Sequence, residues 1–318
     1  MNRKIIFFTL ATMLAGCATA QEIEVETSDG KKIEAKVINP EIPMQITFAG
    51  QAINFDRTDM YERLDRELTA MTYGHGNTLL LLKRANKYFP ILAPILKKHG
   101  VPQDLLYLAC VESTLDQLAY SPAKAAGFWQ FIPSTAKEYG LEVNDDVDER
   151  YNIEKATVAA CRYLKKAYAA YGNWESVASS YNAGRARIDR ELDAQSQSSS
   201  FDLYLNRETS RYMFRILATK LIMESPSEYG FVLSASQLYY PIETEVVEVT
   251  ETIENLPQWA AEHGTTYQWL KELNPWLRSK TLPDKSGKLY KIKIPKNADA
   301  LSRSKQAKKV YNQNWICE

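Results

Sequence analysis

The sequence predicts a mainly helical chain that gives way, near its C-terminal end, to a small strand-helix-helix-strand unit. Two observations carry this. From about residue 59 to 225, apolar residues recur at the three-and-four spacing of helix faces, and near residue 244 the pattern shortens to the alternation of a strand. The 318 residues suffice for two domains, and 45% hydrophobic with 25% charged is ordinary for a globular protein. Thirty-nine basic residues balance thirty-nine acidic ones, so the chain lacks the positive field that a nucleic-acid partner needs.

The first twenty residues read as a signal peptide. Arg3 and Lys4 precede an apolar run over 5–14 that is too short to span a bilayer as a helix. Leu14-Ala15-Gly16-Cys17 resembles a bacterial lipobox, which implies a lipidated Cys17 and an exported, periplasmic protein anchored to the outer membrane. Ala18-Thr19-Ala20 is a competing site for ordinary cleavage, though the lipobox is the more restrictive pattern. Residues 21–58 then form a small β-rich extension, with Ile23 and Val25 facing Ile33, Ala35 and Val37 across a turn at Ser28-Asp29-Gly30.

Helices follow from Asp59. Tyr61, Leu64, Leu68 and Met71 make one stripe, and residues 79–88 and 89–99 two further segments, broken at Pro90, Pro94 and Gly100. A helix opens near Pro102, where Leu105, Leu108, Ala109, Glu112 and Leu115 share one apolar face. Desolvation on that face raises a carboxyl's pKa, as a general acid at neutral pH requires, although a buried Glu paired with an Arg fits the same pattern. Past this helix come Gly127, Phe128, Trp129, Gln130 and Phe131, an aromatic and amide set that suits a sugar and equally suits plain core.

After Pro133 a short helix stops at Gly140. The acidic run over 145–152 lacks the spacing of a calcium loop and reads as a solvated loop and N-cap before a long helix over Ile153–Tyr171. Trp174 to Ser180 begins another helix, ended by Gly184, and Gln195 to Ser200 reads as a flexible insert before the helix over 207–223. Cys110, Cys161 and Cys317 are too few and scattered for a disulfide scaffold. With His75, His99 and His263 equally dispersed, neither a cysteine nucleophile nor a metal site is expected.

Four stretches carry a resemblance. Glu112-Ser113, Gly127-Phe128-Trp129-Gln130-Phe131-Ile132-Pro133, Ser180-Tyr181-Asn182-Ala183-Gly184 and Glu208-Thr209-Ser210-Arg211-Tyr212 resemble, in order, the motifs of family 1 lytic transglycosylases, nearest to the membrane-bound type D enzymes. The resemblance implies a lysozyme-like helical catalytic domain over residues 59–228. After a linker at 229–243, residues 244–296 resemble a LysM module, which binds N-acetylglucosamine chains. Its usual Gly-Asp-Thr-Leu is replaced by Glu251-Thr252-Ile253-Glu254, so the unit is either a weakened glycan binder or a small packing domain. A basic tail at 297–318, expected to be mobile, ends the chain.

What the resemblance implies is a peptidoglycan lytic transglycosylase without cofactor or metal, acting on glycan strands. Glu112 is its single acid/base, cleaving the MurNAc-β-1,4-GlcNAc bond without water to leave 1,6-anhydro-MurNAc ends. Ser113 and Gln130 orient Glu112 and the acetamido groups, Phe128 and Ile132 line the substrate, and Tyr181 and Asn182 bind around the cleavage site. Glu208 closes the cleft by pairing with a cation. Two rivals stand beside it: a hydrolytic muramidase with Asp116, one helical turn past Glu112, as second carboxylate, and a non-catalytic peptidoglycan-binding protein.

Overall fold

The computed structural model describes residues 23–26, 32–35, 39–283 and 287–317. The expected signal segment and Cys17 lie outside the described residues, as does the Ser28-Asp29-Gly30 turn. The strands flanking that turn, β1 (Ile23–Glu26) and β2 (Lys32–Ala35), pair antiparallel. A second hairpin, β3 (Gln45–Phe48) and β4 (Gln51–Asn54), was not legible in the sequence. Its two-residue turn places both Ala49 (φ 51°) and Gly50 (φ 81°) in the left-handed region, the geometry that matches strand twist. Ile46 and Phe48 bury this hairpin against the helices, and the Ala49 N–H donates to Asp104 Oδ2 at 2.6 Å.

In α1 (Thr58–Tyr73) the buried stripe is Met60, Leu64 and Leu68, so Tyr61, expected inward, is exposed. Helix α2 (His75–Lys98) runs unbroken through Pro90 and Pro94, contrary to the expected break. Both prolines lie on the solvent face four residues apart, where the carbonyls deprived of a partner meet water rather than core. A 3-10 turn at Gln103–Leu105 leads into α3 (Leu106–Ser113), which carries Glu112, and α4 (Pro133–Glu138) follows. Helix α5 (Ile153–Tyr171) is capped by the Asn152 side chain, and α6 (Trp174–Ala183) by Asn173. An unanticipated α7 (Arg185–Ala194) precedes α8 (Arg207–Glu224), which packs against α1, α3 and α6 at the centre of the domain.

Three stretches expected to be loose are packed. Over 195–200, Asn173 Nδ2 donates to the Ser198 carbonyl at 3.3 Å and the buried Ser200 hydroxyl meets Ser179 at 2.9 Å. Along 229–243, Phe231, Leu233, Leu238 and Tyr240 are buried in the main core. In the tail, Trp315 is buried, donates from Nε1 to the Met223 carbonyl at 2.5 Å and meets Phe89 edge-on. In each case apolar or hydroxyl side chains sparse in the sequence find partners far away in it, which periodicity does not register.

The C-terminal unit pairs β5 (Thr244–Val249) antiparallel with β6 (Tyr290–Pro295), enclosing α9 (Leu256–Glu262) and α10 (Tyr267–Leu273). Its core of Leu256, Ala260, Leu270, Trp276 and Ile292 is completed by Val147 and Tyr151 from the helical part. The acidic run is therefore not a solvated loop: Asp148, Glu149 and Arg150 are buried. The Asp148 N–H donates to the Trp276 carbonyl at 2.8 Å, and Lys288 Nζ reaches Glu142 Oε2 at 2.6 Å and Glu149 Oε1 at 2.9 Å. Carboxylates spaced for solvent in the sequence serve here as acceptors for Lys288 of the second unit.

The packed tail is testable. Trp315→Ala empties a buried indole site and strands the Met223 carbonyl, which should cost about 3 kcal/mol. Urea unfolding of the full chain measures this; a change under 0.5 kcal/mol would show a tail that is not part of the core.

Candidate active site

Glu112 sits one residue before the end of α3. The helix stops because Thr114 (φ 50°) and Leu115 (φ 49°) both turn left-handed, and Lys124 (φ 62°) and Gln130 (φ 45°) do the same farther on. Each such non-glycine residue costs about 1 kcal/mol or more, and four of the six among the described residues lie between 114 and 130. Strain is thus concentrated beside Glu112. Leu115 is fully buried as expected, but from beyond the helix.

Glu112 is half-buried, and the Tyr212 hydroxyl of α8 donates a short hydrogen bond to its Oε1. Among the described residues no lysine or arginine pairs with it at ion-pair distance, so the buried Glu-Arg alternative is set aside. Desolvation pushes its carboxyl up to about 7; the Tyr212 hydrogen bond works against this, Glu208 adds to it, and Arg215 opposes it weakly. At neutral pH the side chain is divided between acid and carboxylate, as a group that must give and then take a proton requires. Tyr212, buried against that carboxylate, is itself held well above its ordinary value.

The motif residues take unequal parts. The buried Ser113 hydroxyl lies 3.0 Å from the Ala109 carbonyl and 3.1 Å from that of Phe128. It pins α3 to the following loop, rather than holding the Glu112 carboxyl or a sugar. Phe128 is buried edge-on against Tyr88, with ring centres 4.7 Å apart, so it is core and not a platform for substrate. Trp129 is fully buried and donates from Nε1 to Thr157 Oγ1 at 2.9 Å. Ile132 is the exposed apolar member of the stretch, at 42%.

Gln130 donates from Nε2 to the carbonyls of Gly127 (2.8 Å) and Ala119 (3.2 Å), which orients the loop and leaves its own carbonyl oxygen for another donor. Gly127 (φ 73°) is required twice over, since a Cβ there would fall 2.1 Å from the Arg150 carbonyl oxygen. The Tyr181 hydroxyl donates to the Trp129 carbonyl at 2.7 Å, which leaves its oxygen able to accept a hydrogen bond, and its ring closes on Tyr163 and Phe131. Asn182 is half-buried, with no side-chain hydrogen bond among the described residues.

Glu208 is exposed and pairs with Arg215 Nη1 at 2.8 Å, and Arg215 Nε also lies 3.4 Å from the buried Glu67. Arg211 donates to both Glu67 oxygens, from Nε at 2.6 Å and from Nη2 at 3.1 Å. Glu208, Arg211, Tyr212 and Arg215 recur at three-and-four spacing, so they share a face of α8. That spacing was the sequence signal for Tyr212 and Arg215, which motif reading alone left without a role.

Asp116 does not stand one helical turn from Glu112, because the helix has already ended. Its carboxylate is held by Arg84 at 3.2 Å and accepts the Leu118 N–H at 3.0 Å. The buried Cys110 thiol is pushed up by desolvation and is inert packing.

Because folding raises the Glu112 pKa, the charged form opposes the fold. Stability is unaffected below the unfolded carboxyl value and is lost as pH rises through about 7. Glu112→Gln removes this penalty and should raise unfolding stability by roughly 2 kcal/mol at pH 8 and by little at pH 4. Equal effects at the two pH values, in paired urea titrations, would show a carboxyl that is not desolvated.

Residues 89–203 match the family description Transglycosylase SLT domain, and residues 245–298 match Soluble lytic transglycosylase C-terminal LysM-like domain. The chain is 31% identical over 248 residues to the membrane-bound lytic murein transglycosylase D of Escherichia coli strain K12, covering 76% of this chain and 53% of that protein. It is 28% identical over 153 residues to the membrane-bound lytic murein transglycosylase C of Haemophilus ducreyi, covering 43% and 40%. Among solved structures, the 70 kDa soluble lytic transglycosylase of Escherichia coli aligns over 52% of this chain and 30% of that one, at 18% identity and a TM-score of 0.38. The chain spans about half the length of the curated relative with which it shares the longer alignment. By these matches the chain carries a transglycosylase SLT domain joined to a C-terminal LysM-like domain of the lytic transglycosylase type.

Proposed function

We propose that the protein is a peptidoglycan lytic transglycosylase in which Glu112 is the one proton-transferring residue. The observation that carries this is a desolvated carboxyl, poised near pH 7, whose hydrogen-bond partner is a tyrosine rather than a cation. Protonated Glu112 gives its proton to the glycosidic oxygen between N-acetylmuramic acid and N-acetylglucosamine, and the C–O bond to the muramoyl anomeric carbon breaks. The substrate's acetamido oxygen steadies the oxocarbenium-like centre. Carboxylate Glu112 then takes the proton of the muramoyl 6-hydroxyl as that oxygen closes on the anomeric carbon, giving the 1,6-anhydro product.

The proton count returns to its start and no water is consumed. A single carboxylate suffices because the nucleophile is tethered to the reacting centre, at an effective concentration no solvent molecule reaches. Tyr212 steers the Glu112 carboxyl, while Gln130, Ile132, Asn182 and Glu208 are the residues proposed to line the strand. Asp116, occupied by Arg84, is a poor second carboxylate for a hydrolase. The LysM-like domain is proposed to hold the same strand. No described helix is long and apolar enough to cross a membrane, and the membrane link is proposed to be a lipid on Cys17. Mass spectrometry of the mature N-terminus tests that assignment.

Glu112→Gln should keep the fold and lose turnover of purified sacculi by about a thousandfold. The wild-type muropeptides should be one water lighter than hydrolysis products. Ordinary reducing ends would make the enzyme a muramidase, and an inactive wild-type chain would leave only a binding protein.

The first step needs protonated Glu112, so kcat/KM should fall as pH rises through about 7. Tyr212→Phe removes the hydrogen bond that favours the carboxylate, and the descending limb should move up by about one pH unit. A limb that stays in place would deny Tyr212 this part.

A further inference from the structure

A cleft of about 770 Å³ lies between the loop that follows α3 and the LysM-like domain. Its lining includes Leu115, three residues past Glu112, with Asp116, Tyr120, Lys271, Glu272 and Arg278. Two further cations on its wall are committed. Arg84 holds Asp116 at 3.2 Å, and Arg150 holds the buried Asp148 at 2.6 Å. Lys271 and Arg278 are different. Among the described residues neither makes an ion pair: Lys271 donates to the Leu277 carbonyl, and Arg278 donates to the Pro275 carbonyl at 3.0 Å while its guanidinium lies 4.6 Å from the Tyr151 ring centre.

The exposed Glu272 is the one remaining acid on the wall against these two cations. Burial, and to a smaller extent the neighbouring Arg278, pull the Lys271 ammonium down to about 8. At the rim, Leu118 and Tyr120 are each 59% exposed, an apolar edge beside a cationic floor. A neutral sugar answers only the apolar edge; a carboxylate on a short peptide answers the edge and the cations together.

We propose that this cleft binds a carboxylate of the peptide stem borne by the glycan strand, with Lys271 and Arg278 as the charge and Leu118 and Tyr120 as the apolar edge. The site rests on the peptidoglycan reading above and adds to it the part of the substrate that is recognised. It places a stem beside the cleavage site, because the loop lining the cleft is the direct continuation of the Glu112 helix. The strand would thus be gripped by both domains at once.

The test uses the full chain as Glu112→Gln, so that binding is read without turnover, and two probes: glycan strands with intact stems and the same strands stripped of peptide by an amidase, with the freed lactyl carboxyls capped as methylamides. Intact strands should bind about tenfold more tightly, the worth of a charge-assisted contact. That preference should vanish in Lys271→Gln/Arg278→Gln, shrink in Arg278→Gln alone, where the exposed side chain spares the fold, and persist in Lys271→Arg/Arg278→Lys. Equal affinity for the two strands, or a preference that survives both glutamine variants, would overturn the site while leaving the enzyme assignment intact. Failure to bind either strand would instead overturn the peptidoglycan reading, and the site with it.

Discussion

Arg150 is the joint on which the rest of the molecule closes. Buried with its guanidinium spread between partners, it binds both oxygens of Asp148, at 2.8 and 2.6 Å, and donates to the carbonyls of Lys124 (2.6 Å) and Phe131 (3.0 Å). Its own carbonyl is what Gly127 makes room for. One side chain thereby holds the second half of the loop that follows Glu112 at two points, and its partner Asp148 extends the connection through its N–H to Trp276 in the LysM-like domain. Only a guanidinium offers this many donors in a fixed plane, and an ammonium at the same place would leave carbonyls unpaired. A buried pair of this kind adds little stability by itself, because desolvation offsets the attraction; what it supplies is a single geometry.

That geometry explains how the Glu112 environment persists. Four left-handed non-glycine residues between 114 and 130 would relax in an isolated loop. They are retained because Ser113 ties the loop to α3 at Phe128, Gln130 ties it to itself at Gly127, and Arg150 clamps it from behind. The carboxyl is then enclosed between α3 and α8, with Tyr212 as its hydrogen-bond partner. Desolvation dominates its acidity because Arg215, the cation on α8 that opposes the shift, is already spent on Glu67 and Glu208. Glu67, itself buried, holds both Arg211 and Arg215.

The same acidic segment docks the second domain. Glu142 and Glu149 receive Lys288, Glu142 also accepts the Tyr290 hydroxyl, and Val147 and Tyr151 enter the small domain's apolar core. A LysM-like unit of about fifty residues has little core to bury by itself, so sharing one with its neighbour is a physical solution to its size. The consequence is a fixed rather than tethered arrangement, with a cleft at the seam.

What the sequence determined by itself is everything encoded locally. The long helix Ile153–Tyr171, the caps at Asn152 and Gly184, the strand-helix-helix-strand order of the C-terminal unit and the apolar placement of Glu112 all follow from spacing and from single-residue backbone preferences. Pairings between distant residues were decided by tertiary structure alone: Tyr212 on Glu112, Arg84 on Asp116, Trp315 on Met223, and Glu149 of the acidic run on Lys288, more than a hundred residues away. Aromatic residues illustrate the difference best, since Phe128 and Trp129 read alike as platform or core until packing buried them. Periodicity records which side of an element is apolar, whereas the identity of the partner across the interface depends on how the elements close in space.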